Sequence, residues 1–178
     1  VLPGGAQAQP TLVDPNLRVD AFVTGLSQPT GIAFASAIDA FVIEKATGRV
    51  RRVVNGVLSP TPALDLPVNS ASERGLLGIA LHPRFPATPF VYLFWTESNT
   101  GADSTVVSEV PLLGNRVDRF AWNAGTQTLS FDRGLLRLRA RQTDRNNPAN
   151  PTLVTEQGNH GGGPLRFGAD GKLHVQFG

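Results

Sequence analysis

Residues 78–96, GIALHPRFPATPFVYLFWT, contain two strand-like segments joined by a turn. The first, Gly78–Leu81, is a short apolar run, and the second, Phe90–Thr96, is rich in aromatic and β-branched residues, which favour strands. The prolines between the two segments are typical of turns. This stretch therefore predicts a pair of neighbouring strands, of which the second is the stronger.

The same unit occurs three times along the chain. A short apolar strand, a turn with Ala, Pro or Asp-Gly, and a stronger strand are found at residues 31–44, 78–94 and 164–175. The first two units start 47 residues apart, and the third starts 86 residues later, close to two such periods. A period in the forties with several short strands is typical of β-propeller blades, although β-hairpins also resemble one another by chance.

Strand signals continue outside these units, whereas helix signals are weak. The dipeptide Asn55-Gly56 predicts a two-residue hairpin turn between two strands. No window of a dozen residues keeps apolar side chains at helical spacing, so we expect an all-β chain. Further strands are predicted at residues 18–23, 40–43, 49–54, 117–122 and 128–131, and long loops at residues 98–111 and 141–158.

Composition places the chain among globular proteins. Of its 178 residues, 40% are hydrophobic and 17% are charged, which is enough apolar material for one domain with its own core. The absence of cysteine excludes disulfides and thiolate metal sites. No apolar run approaches the roughly 20 residues that span a bilayer, so we expect no membrane span.

The charge pattern gives no support to nucleic-acid binding. The net charge is +2, although the pI of the sequence is about 9.7. The only basic run, from Arg133 to Arg145, is interrupted by Asp144 and has no interleaved aromatic residues. The alternation of arginine with apolar residues at 137–141 indicates instead the solvent-facing side of a strand.

The two ends of the sequence suggest expectations about the gene product. Ala6-Gln7-Ala8 has the small-x-small form of a signal-peptidase site, so residues 1–17 are interpreted as an export-signal remnant or a flexible segment. The last residues, Leu173–Phe177, alternate like a strand up to the end of the sequence. We expect residues 18–178 to be the N-terminal blades of a single propeller domain, truncated at the C-terminus. We also expect the 178-residue chain alone to be aggregation-prone and inactive.

Of the three histidines, His160 is the candidate for chemistry. It lies in the segment GNHGGG, residues 158–163, where glycines allow positive φ and the close approach of a flat cofactor or a sugar. Histidine is the commonest general base near neutral pH, and the alternative is a turn histidine in a loop. We expect His82, before Pro83, to make a structural hydrogen bond in a turn, and His174 to have a packing or surface role.

Glu73 and Arg74 precede the segment Gly75-Leu76-Leu77-Gly78, next to the predicted strand Gly78–Leu81. An adjacent acid and base commonly form a surface pair, but they also suit the mouth of a blade, facing a central channel. The spacing leaves both interpretations open. The sequence contains no zinc-ligand spacing, P-loop, dinucleotide fingerprint or nucleophile elbow.

Taken together, these segments resemble the glucose/sorbosone dehydrogenase family. Residues 73–85, ERGLLGIALHPRF, followed by FVYL at 90–93, are similar to one motif of that family. Residues 158–173, GNHGGGPLRFGADGKL, are similar to a second motif. Residues 28–34, QPTGIAF, with Glu44 and the GRV of 48–50, are similar to the first blade. The resemblance extends from about Val19 to the end of the sequence.

The resemblance implies a six-bladed β-propeller of four-stranded antiparallel blades, about the first half of which is present in this chain. It implies an enzyme exported to the periplasm or the cell exterior that oxidises an aldose at the anomeric carbon to the lactone. Pyrroloquinoline quinone (PQQ) and Ca²⁺ are the implied cofactors, and an external electron acceptor is an implied partner.

The resemblance also implies roles for three residues of this chain. His160 stands at the position of the base that removes the proton of the anomeric hydroxyl while hydride passes to the quinone. Asn159 and Glu73 stand at positions beside the sugar. The cofactor ligands are expected mainly in blades beyond this chain, so no cofactor-binding or metal-binding residue is assigned.

The chain departs from the family pattern at several positions. Gly161 stands where Asn is common, Ala169 where Pro is usual, and His174 and Gln176 where Tyr and a small residue are usual. Some members of the family bind partners and are not established enzymes. A non-redox propeller, either a sugar-lactone hydrolase or a carbohydrate- or protein-binding module, is therefore the alternative function.

Overall fold

The computed structural model describes residues 12–144, 155–157 and 161–177 of the chain. Within these ranges the chain forms thirteen β-strands and no helix, and every pairing between strands is antiparallel. Consequently, no described segment forms a helix able to cross a membrane. The strands are β1 (Pro29–Phe34), β2 (Asp39–Glu44), β3 (Arg49–Val54), β4 (Val57–Leu58), β5 (Leu64–Asp65), β6 (Leu76–Leu81), β7 (Phe90–Thr96), β8 (Asn115–Asn123), β9 (Thr128–Leu138), β10 (Gln142–Asp144), β11 (Thr155–Gln157), β12 (Leu165–Phe167) and β13 (Leu173–Val175).

The first sheet is a blade in which β1, β2, β3 and β4 follow one another in sequence order, and β5 also pairs with β3. Its second strand, β2, is buried at every residue except Asp39: residues 40–43 are apolar, and the buried carboxylate of Glu44 accepts hydrogen bonds from the backbone of Ser27 and the hydroxyl of Thr47. The turn between β3 and β4 has positive φ at Asn55 (51°) and Gly56 (73°). These angles are those of a type I′ hairpin turn, as the dipeptide predicts.

The second sheet is a four-stranded meander, β6-β7-β8-β9. The strand predicted at Phe90–Thr96 is confirmed with the same bounds as β7, and six of its seven residues are buried. Strands β8 and β9 are long, with 9 and 11 residues, and join through an exposed turn at residues 123–127. This sheet is the second blade.

Strands β12 and β13 pair with each other and begin a third unit. Strand β6 contacts both β1 and β12, so the first strands of the three units lie side by side. This is the arrangement of inner strands around the channel of a β-propeller, and it confirms the predicted fold class and the three repeats. Because β12 packs directly on β6, the described part of the 86-residue interval contributes no blade between the second and third units.

The first two blades share one apolar core. The ring of Phe41 meets the ring of Trp122 edge-to-face, with 5.0 Å between centroids. A second core joins the second blade to β12 and β13, where the rings of Tyr92 and Phe167 lie 5.1 Å apart. The buried members of the first core are Phe41, Ile43, Val50, Ala63, Leu66, Val68, Leu76, Ile79, Val91, Leu93, Trp95, Phe120, Trp122 and Leu129. These two cores fix the positions of the inner strands relative to one another.

Three expectations about local structure are corrected. Residues 18–23 form no strand, because no described strand pairs with them, and Val19 remains 53% exposed. The predicted loop 141–158 contains the paired strands β10 and β11. Strand β9 ends at Leu138, so the alternation of arginines at 137–141 continues past the strand that it was expected to mark.

Candidate functional site

The two segments predicted to carry the site meet at one end of the inner strands. Glu73 precedes β6, and Gly161 precedes the neighbouring strand β12. A Cβ added to Gly161 would lie 3.4 Å from the carbonyl oxygen of Glu73 and 3.6 Å from Cδ1 of Leu77. The fold therefore places Gly161 beside the turn that carries Glu73, although 88 positions separate them in the sequence.

Two of the three predicted site residues lie outside the described residues. These are Asn159 and His160, which directly precede Gly161 in the sequence. Gly161 itself is buried. The roles of Asn159 and His160 accordingly stay predictions, and the described part of the site is the Glu73 turn with residues 161–163.

Glu73 belongs to a tight turn in front of β6. The backbone N–H of Arg74 donates to the carbonyl of Ala71 at 3.1 Å and closes the turn. Ser72 has a φ of 54°, in the left-handed region that residues with a side chain rarely adopt. The turn leaves Glu73 exposed at the end of the inner strands. An exposed carboxylate there is able to accept hydrogen bonds from the hydroxyl groups of a sugar.

Arg74 and Glu73 occupy different environments. Arg74 is only 1% exposed, and its guanidinium donates to the carbonyls of Val107 and Ala140, each at 2.6 Å. The two residues are therefore not the exposed surface pair that is the commoner interpretation of such a dipeptide. Arg74 ties the base of the turn to the segments on either side of the β8–β9 hairpin.

The long segment at 98–111, predicted to be a loop, supports the turn from the side. The buried side chain of Asn69 donates to the carbonyls of Val106 at 2.8 Å and Glu109 at 2.9 Å. The hydroxyl of Ser104 hydrogen-bonds to the carboxylate of Glu109. These contacts give a loop without regular secondary structure a defined course beside the turn.

Lys45, in the turn after β2, also contacts the Glu73 turn. Its ammonium donates to the carbonyls of Ser70 at 3.0 Å and Ser72 at 2.9 Å, and its own carbonyl accepts the N–H of Leu76 at 3.0 Å. Sequence reasoning did not single out Lys45. Its position next to the Thr47-Gly48 turn carries no local sign of a contact with residues 25 or more positions away.

The glycines of the 158–163 segment that the structure describes are explained by packing between strands. A Cβ on Gly162 would lie 2.7 Å from the carbonyl oxygen of Gln176, and one on Gly163 would lie 3.0 Å from Cβ of Leu77. Both glycines have positive φ, 77° and 146°. Across the interface, a Cβ on Gly78 would lie 1.8 Å from the carbonyl oxygen of Gly163. Close packing between strands therefore explains Gly162 and Gly163 without the ligand that the sequence suggested.

The other two histidines are at the opposite end of the inner strands. The Nδ1 atom of His82 accepts the backbone N–H of Arg84 at 3.2 Å, which is the structural hydrogen bond predicted for a turn. His174, on β13, is exposed, and its Nε2 lies 3.5 Å from Asp170. Among the described residues, neither histidine reaches the Glu73 turn.

Two cations are among the described charged groups around the turn. The described cations beside it, Lys45 and Arg74, donate to backbone carbonyls. Within the described ranges, no three His, Cys, Asp or Glu side chains come together as metal ligands. The pKa of Asp170 is lowered, chiefly by the backbone N–H of Lys172, but this carboxylate lies in the β12–β13 turn, away from Glu73.

A cavity of about 560 Å³ lies between the three inner strands, at the end away from Glu73. Its walls are residues 32–34 of β1, 79–81 of β6 and 165–167 of β12, with Pro83, Gly168 and Ala169. Arg166 is the one charged residue among the described residues of this lining. The lining does not include any of the predicted site residues.

Comparison with known families gives one match that covers most of the chain. The family described as glucose/sorbosone dehydrogenase matches residues 26–178. Among curated proteins, quinoprotein glucose dehydrogenase B of Acinetobacter calcoaceticus is 26% identical over 117 residues, which is 64% of this chain and 24% of that protein.

Solved structures give the same picture. A Thermus thermophilus protein, assigned as an oxidoreductase (glucose dehydrogenase), is 32% identical with a TM-score of 0.68, covering 92% of this chain and 41% of that chain. The PQQ-bound aldose sugar dehydrogenase of Streptomyces coelicolor is 23% identical with a TM-score of 0.65, covering 90% of this chain and 40% of that one; at this identity the likeness supports the fold. The chain thus spans about two-fifths of these solved structures and about a quarter of the curated relative.

Proposed function

The chain belongs to the glucose/sorbosone dehydrogenase family, and from this premise we propose that its gene product is a PQQ-dependent dehydrogenase of aldose sugars. The reaction is oxidation of the sugar at the anomeric carbon to the lactone. The observation that supports the proposal is the proximity of Gly161 to the Glu73 turn, because it brings together the two segments to which the family resemblance assigns sugar contacts and the base.

We assign the role of general base to His160. Its neutral imidazole takes the proton of the anomeric hydroxyl, and the electrons of that O–H bond form the carbonyl of the lactone. The anomeric carbon loses its hydrogen as hydride, so the sugar gives up two electrons and two hydrogens in all. When bound, PQQ supplies the two-electron acceptor for that hydride. A general base typically contributes about 10² to 10⁴-fold in rate.

Glu73 and Asn159 are proposed to hold the sugar. The carboxylate of Glu73 accepts hydrogen bonds from sugar hydroxyls, and the amide of Asn159 both donates and accepts. Glu73 is exposed, and it lies at the same end of the inner strands as Gly161.

The described residues do not form a cofactor site by themselves. PQQ is a flat tricarboxylate and requires cationic or hydrogen-bond-donating partners. The described cations beside the turn, Lys45 and Arg74, already donate to backbone carbonyls. We therefore assign no residue of this chain to PQQ or to Ca²⁺, and place their ligands in other blades of the propeller.

We further propose that the protein works outside the cytoplasm and passes electrons to an external acceptor. The support is the Ala6-Gln7-Ala8 sequence, which lies outside the described residues, together with the family resemblance. The sugar is the small-molecule partner, and nothing in the charge pattern supports nucleic acid as another.

The test is dye reduction by the complete gene product supplied with PQQ, Ca²⁺ and a panel of aldoses. We expect turnover with at least one aldose, and we expect His160→Ala to lower kcat by at least about 10²-fold with PQQ binding retained. His174→Ala is the matched control, because His174 is exposed on β13 and away from the Glu73 turn. Near-normal turnover by His160→Ala would refute the assignment of the base.

The same preparation discriminates against the non-redox alternative. A wild-type protein that takes up no PQQ and reduces no dye, yet hydrolyses a sugar lactone or binds a carbohydrate, would be a hydrolase or a binding module. Within the described residues no observation favours that alternative over sugar oxidation.

A further inference from the structure

We propose that Lys45 is a positioning residue for Glu73, through which the first blade sets the affinity of the site for sugar. The proposal rests on the proposed function, because it takes Glu73 as a sugar-binding group. Lys45 itself does not touch the sugar. It acts by holding the backbone of the turn that presents Glu73.

The side chain of Lys45 joins two carbonyls of that turn. Its ammonium donates to Ser70 at 3.0 Å and to Ser72, the residue directly before Glu73, at 2.9 Å. A lysine ammonium is a compact charge with three donors, so it is able to bind two carbonyls at once. Hydrogen bonds from a charged donor are stronger than those between neutral groups.

The backbone of Lys45 holds the other side of the same turn. Its carbonyl accepts the N–H of Leu76 at 3.0 Å, and its N–H donates to Gln28 at 3.0 Å. Gly75 makes this approach possible, because a Cβ there would lie 2.5 Å from the carbonyl oxygen of Lys45 and 2.8 Å from its Cγ. The whole turn, from Ser70 to Leu76, is thus bracketed by one residue of the first blade.

The conformation of the turn explains why such support is needed. Ser72 has a φ of 54°, which persists in residues with a side chain only where the surroundings hold it. The ammonium of Lys45 binds the carbonyl of this same residue. Loss of that contact removes two charged hydrogen bonds from the turn, and we expect the peptide between Ser72 and Glu73, and with it the Glu73 carboxylate, to shift. Since Gly161 lies beside the Glu73 carbonyl, we expect the segment after His160 to share this dependence.

The first test is a double-mutant cycle on the KM for sugar in the complete gene product. Lys45→Met keeps the apolar stem and removes the donors, and we expect it to raise KM about tenfold, within the range that misplacement of a binding group produces. In a Glu73→Ala background we expect Lys45→Met to change KM by less than about twofold, because the residue that Lys45 positions is gone. Equal effects of Lys45→Met in both backgrounds would overturn the proposal.

The second test does not depend on catalysis. Hydrogen exchange of peptides covering residues 70–76 is compared in the wild type and in Lys45→Met, with the β7 strand as internal reference. We expect faster exchange in the turn alone. The control is Lys172→Met, which changes the only other lysine of the chain, an exposed residue in the β12–β13 turn. Unchanged exchange at 70–76 would refute the contact's role whether or not the protein oxidises sugars.

Two further outcomes keep the tests decisive. If Lys45→Met gives no cooperative melt, Lys45→Gln, which is shorter and keeps a neutral amide NH2 in place of the ammonium, replaces it in both measurements with the same expected directions. If the wild type oxidises no aldose, the proposed function fails, and the exchange measurement alone decides whether Lys45 holds the turn.

Discussion

Replacing Gly78 by alanine tests the contact on which the site depends. A Cβ at this position would lie 1.8 Å from the carbonyl oxygen of Gly163 and 3.1 Å from Cβ of Phe94. A Cβ and a carbonyl oxygen essentially never approach within 3.0 Å, so β6 and the segment before β12 must separate by about 1.2 Å. Neither neighbour is the end of a flexible side chain: one is the backbone oxygen of Gly163, and the other is Cβ of Phe94.

We expect two measurable consequences of Gly78→Ala. Overpacking of a close contact typically lowers the free energy of unfolding by about 1 to 3 kcal/mol. Because the added Cβ overlaps a backbone oxygen, we expect Gly78→Ala to lower it by about 3 kcal/mol. Because the displaced segment also contains Gly161, next to His160, a shift of about 1 Å is expected to lower kcat/KM by about 10²-fold.

The assay is urea unfolding and sugar oxidation by the complete gene product. Gly125→Ala is the control, because Gly125 lies in an exposed turn, and a Cβ there would meet only the side-chain oxygen of Asn123, at 3.3 Å. A Gly78→Ala variant that unfolds within about 0.5 kcal/mol of the wild type would show that β6 and β12 are not in this close contact.

Three other outcomes follow from the described contacts. Arg74→Met, which leaves the carbonyls of Val107 and Ala140 without their donors, is expected to destabilise the protein by about 3 kcal/mol in urea unfolding. Arg119 lowers the pKa of Asp132 by donating to it, so this carboxylate stabilises the fold above the ordinary Asp pKa of about 3.9. That stabilisation is lost as the pH falls through the lowered pKa, and the difference in unfolding midpoint between the wild type and Asp132→Asn should vanish in acid. Finally, residues 1–178 expressed alone are expected to aggregate in size-exclusion chromatography and to oxidise no sugar, because apolar side chains of β1 such as Phe34, 57% exposed, lack a covering blade.

Each of these outcomes has a result that contradicts it. Arg139 is exposed, so Arg139→Met should change the free energy of unfolding by no more than about 0.5 kcal/mol. If Arg74→Met had an equally small effect, the buried hydrogen bonds of Arg74 would not stabilise the fold as expected. A constant difference between wild type and Asp132→Asn down to acid pH would exclude the ion pair as its cause. A soluble monomer of residues 1–178 with a cooperative melt would show that the exposed face of β1 is tolerated.

Sequence reasoning predicted the strands best where the signal is local. The aromatic and β-branched run at Phe90–Thr96 predicted the bounds of β7, and Asn55-Gly56 predicted the turn between β3 and β4. The alternation at residues 18–23 has the same local appearance, but a strand also needs a partner with free hydrogen-bonding groups. No described strand supplies one, and no local pattern reveals that lack.

The site was predictable in part for a related reason. Glu73 and the glycine segment could be identified because each belongs to a continuous motif. The contacts that hold them are between residues distant in sequence, such as Gly78 with Gly163 and Lys45 with Ser72. A glycine required by packing and a glycine required by a ligand look identical in a sequence. Only the structure separates the two uses.

The hairpin of β8 and β9 offers a place to attach the protein to something else. Its tip, residues 123–127, is exposed and lies at the end of the second blade where Leu81 pairs with Val91, opposite the end where Leu76 pairs with Trp95 near Glu73. Exposed tips of this kind tolerate insertions well. A fluorophore, an affinity tag or a conducting linker introduced at Gly125 would therefore immobilise the molecule with the Glu73 end facing away from the support.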